Sequence, residues 1–253
     1  MFCLLVLVFT ASYSALAAPP DRSYYQIKIY HLKTPGQQQR VEKFLRDAYL
    51  PALHRAGVKN VGVFKPVEEQ DSLLSLYVYV PMRSLQSFAT LEQELQKDKQ
   101  YLSDGSDYLD APYDNVPYER IETILLRAFE GMPQAAVPRL TVPKDQRVYE
   151  LRSYEGPTEK AYRNKVKMFH SGEIEMFDRL GFNAVFYAEV LAGPRMPNLM
   201  YMTCFDSKPS REQHWKAFFD DPVWKKLVGD PQFQHNVSKS NITFLYPADY
   251  SDF

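Results

Sequence analysis

Acidic, basic and phenolic side chains share one side of a strand-like segment in the second half of the chain. In "RVYELRSYEG", Glu150, Arg152 and Tyr154 point the same way, because successive side chains of a strand alternate between its two faces. A carboxylate or a phenol can move protons, and a guanidinium can hold an anionic group. The earlier segment "YYQIKIYHL" places Lys28 and Tyr30 on one side in the same manner.

Patterns for metal or cofactor chemistry are scarce. The chain has five histidines. His170 and Glu173 lie three positions apart on a helical face, but a metal site needs more ligands than these two. His214, next to Trp215, is interpreted as a packing or surface residue rather than as a haem ligand. The sequence contains no glycine-rich phosphate loop and no G-x-S-x-G motif. It therefore predicts no metal and no cofactor, and it leaves open whether the protein is an enzyme.

The overall charge argues against a nucleic-acid partner. The 253 residues include 30 basic and 31 acidic side chains, with a formal net charge of −1. No dense basic run occurs, although nucleic-acid-binding surfaces concentrate Lys and Arg. The hydrophobic share of 45% is that of a globular protein with a substantial core.

The N-terminal segment resembles an export signal. An apolar run over residues 2–9 is followed by small residues that end in Ala15-Leu16-Ala17, which is typical of a signal peptide and its cleavage site. We therefore predict that residues 1–18 are removed and that the protein is secreted or periplasmic. The run is shorter than the roughly 20 residues that a transmembrane helix needs, and no other segment could span a membrane. Removal leaves Cys204 as the single cysteine, which excludes an internal disulfide.

The rest of the chain is a tandem duplication. Tyr25 corresponds to Tyr149 and Gly57 to Gly181, each at an offset of 124 residues. The same offset relates "LHRAGVKNVGVF" to "FDRLGFNAVFY" across a helix end and the following strand. One offset held over a strand, a helix and a second strand indicates two copies of one structural unit.

Each copy follows the order βαββαβ of the ferredoxin-like unit, an α+β arrangement. The predicted domains span residues 22–133 and 145–253, and the proline-containing segment 134–144 is the linker between them. A ferredoxin-like unit covers only one face of its antiparallel sheet with helices. We therefore expect the two sheets to close on each other as a pseudo-symmetric barrel of the dimeric α/β type.

The alternation within the first strand of each copy then predicts a location for the charged residues. The apolar side is expected to pack beneath the helices, and the polar side is expected to face the barrel lumen. The predicted lumen site consists of Lys28, Tyr30, Glu150, Arg152 and Tyr154. These residues could form an internal network that fixes the register of the sheets, or they could be the polar contacts of a ligand pocket. Arg195, at a predicted hairpin tip, could reach the same ligand or a partner chain.

Several of these segments resemble the NIPSNAP family. The resemblance rests on "YELRSY", "FDRLGFNAVFY", "LMYMTCF" and "HWKAFFDDPVWKKL", with Phe218, Asp221, Pro222 and Trp224 as its most distinctive part. It implies the dimeric α+β barrel fold and an unsettled biochemical role with no agreed catalytic set. Animal members are associated with mitochondria and vesicles, and a chain with a signal peptide looks like a secreted bacterial branch. The first copy departs from the pattern, since it has Gln26 where the second has Glu150.

Two functions follow as expectations. The first is binding of a small anionic or carbonyl-bearing molecule in the lumen, with cofactor-free catalysis as an open extension. The second is a non-catalytic protein-interaction module with a solid barrel. By analogy with such folds, we also expect that whole barrels could pair as homo-oligomers.

Overall fold

The computed structural model describes residues 21–67, 74–138 and 140–253, so the predicted signal peptide at residues 1–18 lies outside the described part. The first unit contains four strands and five helical segments, and α1 runs through a π-helical turn at Leu45–Tyr49 into α2. Its elements are β1 (Tyr24–Leu32), α1 (Pro35–Phe44), α2 (Leu50–Arg55), β2 (Gly62–Pro66), β3 (Leu74–Met82), α3 (Leu85–Leu95), α4 (Lys99–Asp104), α5 (Ser106–Leu109) and β4 (Arg120–Ala128).

The second unit repeats this order. A kinked segment at Phe169–Glu173, with non-helical dihedral angles at Ser171 and Gly172, joins its first two helices at the position that the offset of 124 residues predicts. Its elements are β5 (Val148–Glu155), α6 (Glu159–Met168), α7 (Ile174–Arg179), β6 (Ala184–Ala192), β7 (Asn198–Phe205), α8 (Lys208–Asp220), α9 (Pro222–Gly229) and β8 (Lys239–Pro247).

The eight strands form one closed antiparallel barrel in the order β1-β3-β2-β8-β5-β7-β6-β4. Each unit contributes four neighbouring strands, and the units join through β2 with β8 and through β4 with β6. The predicted fold class, two tandem ferredoxin-like units closed into a pseudo-symmetric barrel, is confirmed. Closure leaves no free sheet edge among these strands.

Local sequence signals set the helix ends. The side chains of Thr34, Thr158, Ser84 and Ser207 cap four helices by accepting a hydrogen bond from a backbone N–H of the first turn. The last of them, α8, begins at Lys208 because Ser207 supplies its cap. Gly57 and Gly181 follow α2 and α7 with φ of 82° and 74°, the left-handed conformation that glycine adopts without strain.

Apolar side chains fill the barrel lumen. They come from all eight strands and from the C-terminal segment, and they include Tyr25, Ile27, Phe64, Tyr79, Leu126, Tyr149, Leu151, Phe186, Met202, Leu245 and Phe253. Two further apolar clusters lie outside the barrel, each between one unit's sheet and its helices. The core therefore has three layers, one in the lumen and one beneath the helices of each unit.

Candidate functional site

The five residues predicted to face the lumen lie instead on the outer face of the sheets. The lumen side of β1 carries Tyr25 and Ile27, and that of β5 carries Tyr149 and Leu151. Lys28, Tyr30, Glu150, Arg152 and Tyr154 have the opposite parity and pack beneath the helices. The predicted lumen location is therefore wrong. Its physical reason is that apolar side chains pack the lumen, whereas the helices bring polar side chains that can pair with charges on the strands.

Glu150 is the centre of a buried hydrogen-bond network in the second unit. Its side chain is fully buried. Arg211 on α8 donates from Nε to Oε2 at 2.9 Å and from Nη2 to Oε1 at 2.8 Å. Trp215, one turn further along α8, donates its indole N–H to Oε2 at 2.8 Å. From the same strand, Arg152 donates its Nε to Oε1 at 2.6 Å. Four charge-assisted bonds thus satisfy this carboxylate.

Arg152 connects the carboxylate to two phenols. Its Nη1 donates to the hydroxyl of Tyr154 at 2.8 Å, and that hydroxyl lies 2.9 Å from the hydroxyl of Tyr201 on β7. The guanidinium also stacks 3.8 Å from the ring centre of Trp215. The arginine, which is only 7% exposed, therefore has both polar and aromatic partners.

The network holds its charges fixed. Burial raises the pKa of Glu150, but the two guanidiniums and the indole N–H outweigh burial and leave the pKa below its ordinary value. Burial raises the pKa of Tyr201 well above its usual range. A carboxylate with four donors and a lowered pKa is a poor proton acceptor at neutral pH. The geometry therefore favours a structural role for Glu150 over that of a general base, and ligand binding by the predicted site residues stays a prediction.

A second buried ion pair, which the sequence analysis missed, lies beside this network. Lys165 on α6 donates its Nζ to Glu173 at 2.8 Å, and both side chains are buried. The ammonium lies 4.7 Å from the ring centre of Phe169 and 5.6 Å from that of Trp224. The signal available in the sequence was weak, because two charges eight positions apart on an amphipathic helix usually face solvent.

The corresponding layer of the first unit contains fewer charges. Lys28 lies 5.0 Å from the ring centre of Tyr49 and 5.9 Å from that of Tyr30. Burial lowers the pKa of Lys28, and the carboxylate of Glu92 on α3 offsets part of that effect. Tyr30 packs edge-on against Tyr108 on α5. Lys28 and Tyr30 therefore belong to the first helix–sheet layer, separate from the Glu150 network.

Arg195 is not part of either group. It lies in the exposed loop between β6 and β7, with φ of 66°. That loop immediately precedes Asn198, which pairs with Glu155 at the end of β5. Arg195 forms no ion pair with any residue of the described ranges. Its predicted contact with a ligand or a partner chain remains a prediction.

A cleft of about 550 Å³ opens at the other end of the barrel, where β1 begins and β3 ends. We call this the barrel-end cleft. Residues of β1 and β3 that face the lumen form its floor. The turn after α2, one face of α3 and linker residues 134–137 form its walls. The residues that line the cleft include Tyr25, Val58, Lys59, Tyr79, Met82, Arg83, Leu91 and Phe253.

Two phenols in the floor of the barrel-end cleft are unsatisfied. Tyr25 and Tyr79 are 0% and 1% exposed, with ring centres 5.5 Å apart. Neither hydroxyl has a hydrogen-bond partner among the described residues. A buried hydroxyl without a partner costs about 1–3 kcal/mol. The floor of the cleft therefore contains two hydroxyls whose hydrogen bonds no described residue satisfies.

In the second unit, aromatic rings occupy the positions equivalent to three residues that line the barrel-end cleft. Pairing within the sheets and the helix caps align Val58, Met82 and Leu91 with Phe182, Phe205 and His214. The ring centres of Phe182 and Phe205 lie 5.4 Å apart, and that of His214 lies 5.3 Å from Phe205. The corresponding side chains of the first unit are not aromatic, and they line the open cleft.

Comparison with known proteins identifies the second unit. The NIPSNAP family model matches residues 149–252. This chain carries a NIPSNAP domain. The resemblance seen in the sequence is confirmed for that unit, and the Glu150 network lies inside the NIPSNAP domain. The barrel-end cleft lies mainly in the first unit, outside the matched residues. No curated protein matches the chain.

Solved structures share the whole two-unit fold. A candidate monooxygenase from Fusobacterium nucleatum subsp. nucleatum aligns with 89% of this chain and 92% of its own, at 8% identity and a TM-score of 0.57. A candidate monooxygenase from Lactobacillus acidophilus aligns with 89% and 94%, at 10% identity and a TM-score of 0.55. An anthrone oxidase-like protein aligns with 90% and 92%, at 13% identity and a TM-score of 0.52. At these identities the likeness concerns the fold alone.

Two further observations bear on the type of site. In residues 21–67, 74–138 and 140–253, no group of three or more His, Cys, Asp and Glu side chains could hold a metal ion. Within the same ranges no helix has the length and apolar character needed to cross a membrane.

Proposed function

We propose that this protein binds a small anionic or carbonyl-bearing molecule in the barrel-end cleft. The observation that carries the proposal is the pair of buried, unpartnered phenols, Tyr25 and Tyr79, in the floor of a cleft of about 550 Å³. Ligand pockets are mostly apolar clefts of roughly 300–1,000 Å³ with a few convergent polar groups. The barrel-end cleft has this size and this composition.

The proposed site replaces the central lumen that the sequence predicted. Packed side chains occupy the middle of the barrel, and the Glu150 network is fully paired. The other unpartnered hydroxyls of these two regions, those of Tyr149 and Thr203, are buried and do not line the cleft. The proteins of similar fold include candidate monooxygenases and an anthrone oxidase-like protein, which is compatible with a ligand that carries oxygen functions. Catalysis without a cofactor would use groups at the cleft rather than Glu150.

Blocking the cleft tests the proposal. Val58→Phe introduces the ring that the second unit already has as Phe182, and it should close the cleft without disturbing the fold. Val228→Phe, at an exposed position on α9, is the matched control. A metabolite panel rich in carboxylates and ketones is screened by thermal shift, because a molecule that binds only the native state raises the melting temperature.

Compounds that raise the melting temperature of the wild type and of Val228→Phe, but not of Val58→Phe, support the proposal. Compounds that shift all three proteins equally place binding elsewhere and contradict it. A panel without any stabilising compound also contradicts it, and it favours the non-catalytic interaction module. The observation that favours that second function is the filled lumen.

Two further proposals concern the export of the protein and the assembly of its barrels. We propose that residues 1–18 direct export and are removed, so that the mature protein is secreted or periplasmic. Mass spectrometry of the protein recovered from its native compartment would show the new N-terminus. We further propose that whole barrels pair in solution, which sedimentation of the purified protein would test.

A further inference from the structure

The floor of the barrel-end cleft presents hydrogen-bond donors. Burial raises the pKa of both Tyr25 and Tyr79 far above neutrality, so both phenols keep their protons. A protonated phenol without a partner can donate to an oxygen acceptor. Tyr79 stacks on Phe186 at 5.4 Å with only 5° between the ring planes, which restricts the motion of its ring. The inner end of a bound molecule should therefore carry a carbonyl or similar acceptor oxygen.

The walls of the cleft suit a flat apolar body. Leu91 and Val58 line one side, and the rings of Tyr25, Tyr79 and Phe253 line the other. Phe253 meets Tyr79 edge-on at 5.9 Å between ring centres. An aromatic ring of the ligand could continue this series of edge-on and tilted contacts, each worth about 0.5–1.5 kcal/mol beyond the area that it buries.

The rim of the cleft has uncommitted positive charge. Lys59 and Arg83 line the opening, both are exposed, and neither forms an ion pair with any described residue. The acidic residue at the rim, Glu94, is already paired with Lys97 at 2.8 Å. The equivalent positions of the second unit hold Asn183 and Asp206, so this positive rim is particular to the first unit.

We propose that the barrel-end cleft recognises an aromatic ketocarboxylate: a flat ring with a carbonyl oxygen toward Tyr25 and Tyr79 and a carboxylate toward Lys59 and Arg83. This inference rests on the proposed function and narrows its ligand class. It assigns one half of the ligand to the hydrogen-bond donors of the floor and the other half to the cations of the rim. Each of these two interactions can be removed separately, either by a substitution in the protein or by a probe that lacks the corresponding group.

The probe is 4-acetylbenzoate, which has a ketone and a carboxylate at opposite ends of one benzene ring. Benzoate lacks the ketone and acetophenone lacks the carboxylate. Dissociation constants are measured by calorimetry for the wild type, Tyr79→Phe, Arg83→Gln and the control Tyr149→Phe. Tyr149 is the second unit's counterpart of Tyr25 and lies in the lumen away from the cleft lining.

We expect 4-acetylbenzoate to bind at least about fivefold more tightly than either simpler probe. Tyr79→Phe should weaken 4-acetylbenzoate about five- to tenfold, the value of one hydrogen bond, and should leave benzoate unchanged. Arg83→Gln should weaken both acids by the same factor of about three and leave acetophenone unchanged, because an exposed charge contributes modestly. Tyr149→Phe should match the wild type for all three probes.

Equal binding of the three probes, or equal effects of Tyr79→Phe and Tyr149→Phe, would overturn the inference. If a panel compound binds in a way that Val58→Phe abolishes while all three probes fail, the ligand class is wrong and the proposed cleft stands. If all three probes fail and no panel compound binds the wild type, both the proposed cleft and the proposed ligand class are wrong. Melting temperatures of Tyr79→Phe and Tyr149→Phe serve as the folding control.

Discussion

The two helix–sheet layers of this barrel solve the same packing problem with different charges. In the NIPSNAP domain the acid, Glu150, is on the strand, and its partners Arg211 and Trp215 come from α8. In the first unit the cation, Lys28, is on the strand, and the helix contributes Glu92. The helix caps place Glu92 at the position of Trp215. The two copies thus share a cation at one equivalent strand position, Lys28 and Arg152, but the acidic group comes from the helix in the first unit and from the strand in the second.

The two units also differ at the barrel-end cleft and its counterpart. The second unit packs its polar network under aromatic rings and fills the equivalent of the barrel-end cleft, whereas the first unit has a simpler polar layer and an open cleft. A duplicated fold can therefore divide its roles, with one copy stabilised by a buried charged network and the other retaining an open cleft. Substitutions that remove or exchange these features test whether the division holds.

The largest effect is expected from Glu150→Ala. The substitution leaves the buried Arg152 and the half-buried Arg211 without their carboxylate, which should lower the free energy of unfolding by about 5 kcal/mol. Gln26→Ala, at the equivalent position of the first unit, should cost about 1 kcal/mol or less. Urea denaturation followed by circular dichroism measures both. Equal losses would show that the two layers do not differ in the way described.

A somewhat smaller effect is expected at the second ion pair. Lys165→Val leaves Glu173 buried and unpaired and should cost about 3 kcal/mol. The double substitution Lys165→Val and Glu173→Tyr reproduces Val41 and Tyr49 of the first unit, and it should recover most of that loss because no unpaired charge remains. A double variant as unstable as the single one would mean that the two layers are not interchangeable at this position.

The smallest effect is expected from pH. The pKa of Glu150 is lowered by folding, so its contribution to stability is complete above the unfolded value of about 4.3 and is lost as the pH falls through the folded value. The difference in melting temperature between wild type and Glu150→Gln should be constant from pH 7 to about pH 5 and should shrink below about pH 4. A difference that persists unchanged at pH 3 would exclude the carboxylate charge as its source.

The sequence predicted the fold because the duplication is carried by local signals. Strand alternation and the helix ends at Gly57 and Gly181 are each readable within a few residues. The constant offset shows that the same local signals occur twice in the chain. The barrel-end cleft was not predictable in this way. Its walls come from β1, β3, α3, the linker and Phe253, which are far apart in the chain. The Lys165–Glu173 pair was missed for a similar reason, since its burial depends on Trp224 and Phe169 covering it.

By itself the sequence determined that two βαββαβ units exist, that their sheets must cover each other, and that Glu150, Arg152 and Tyr154 share one face of a strand. Only the tertiary structure decided which face that is. A strand covered on both sides has no solvent face to orient its alternation, so the choice depends on which layer supplies partners for the charges. The helices supply Arg211 and Trp215, and the closed lumen takes the apolar side chains.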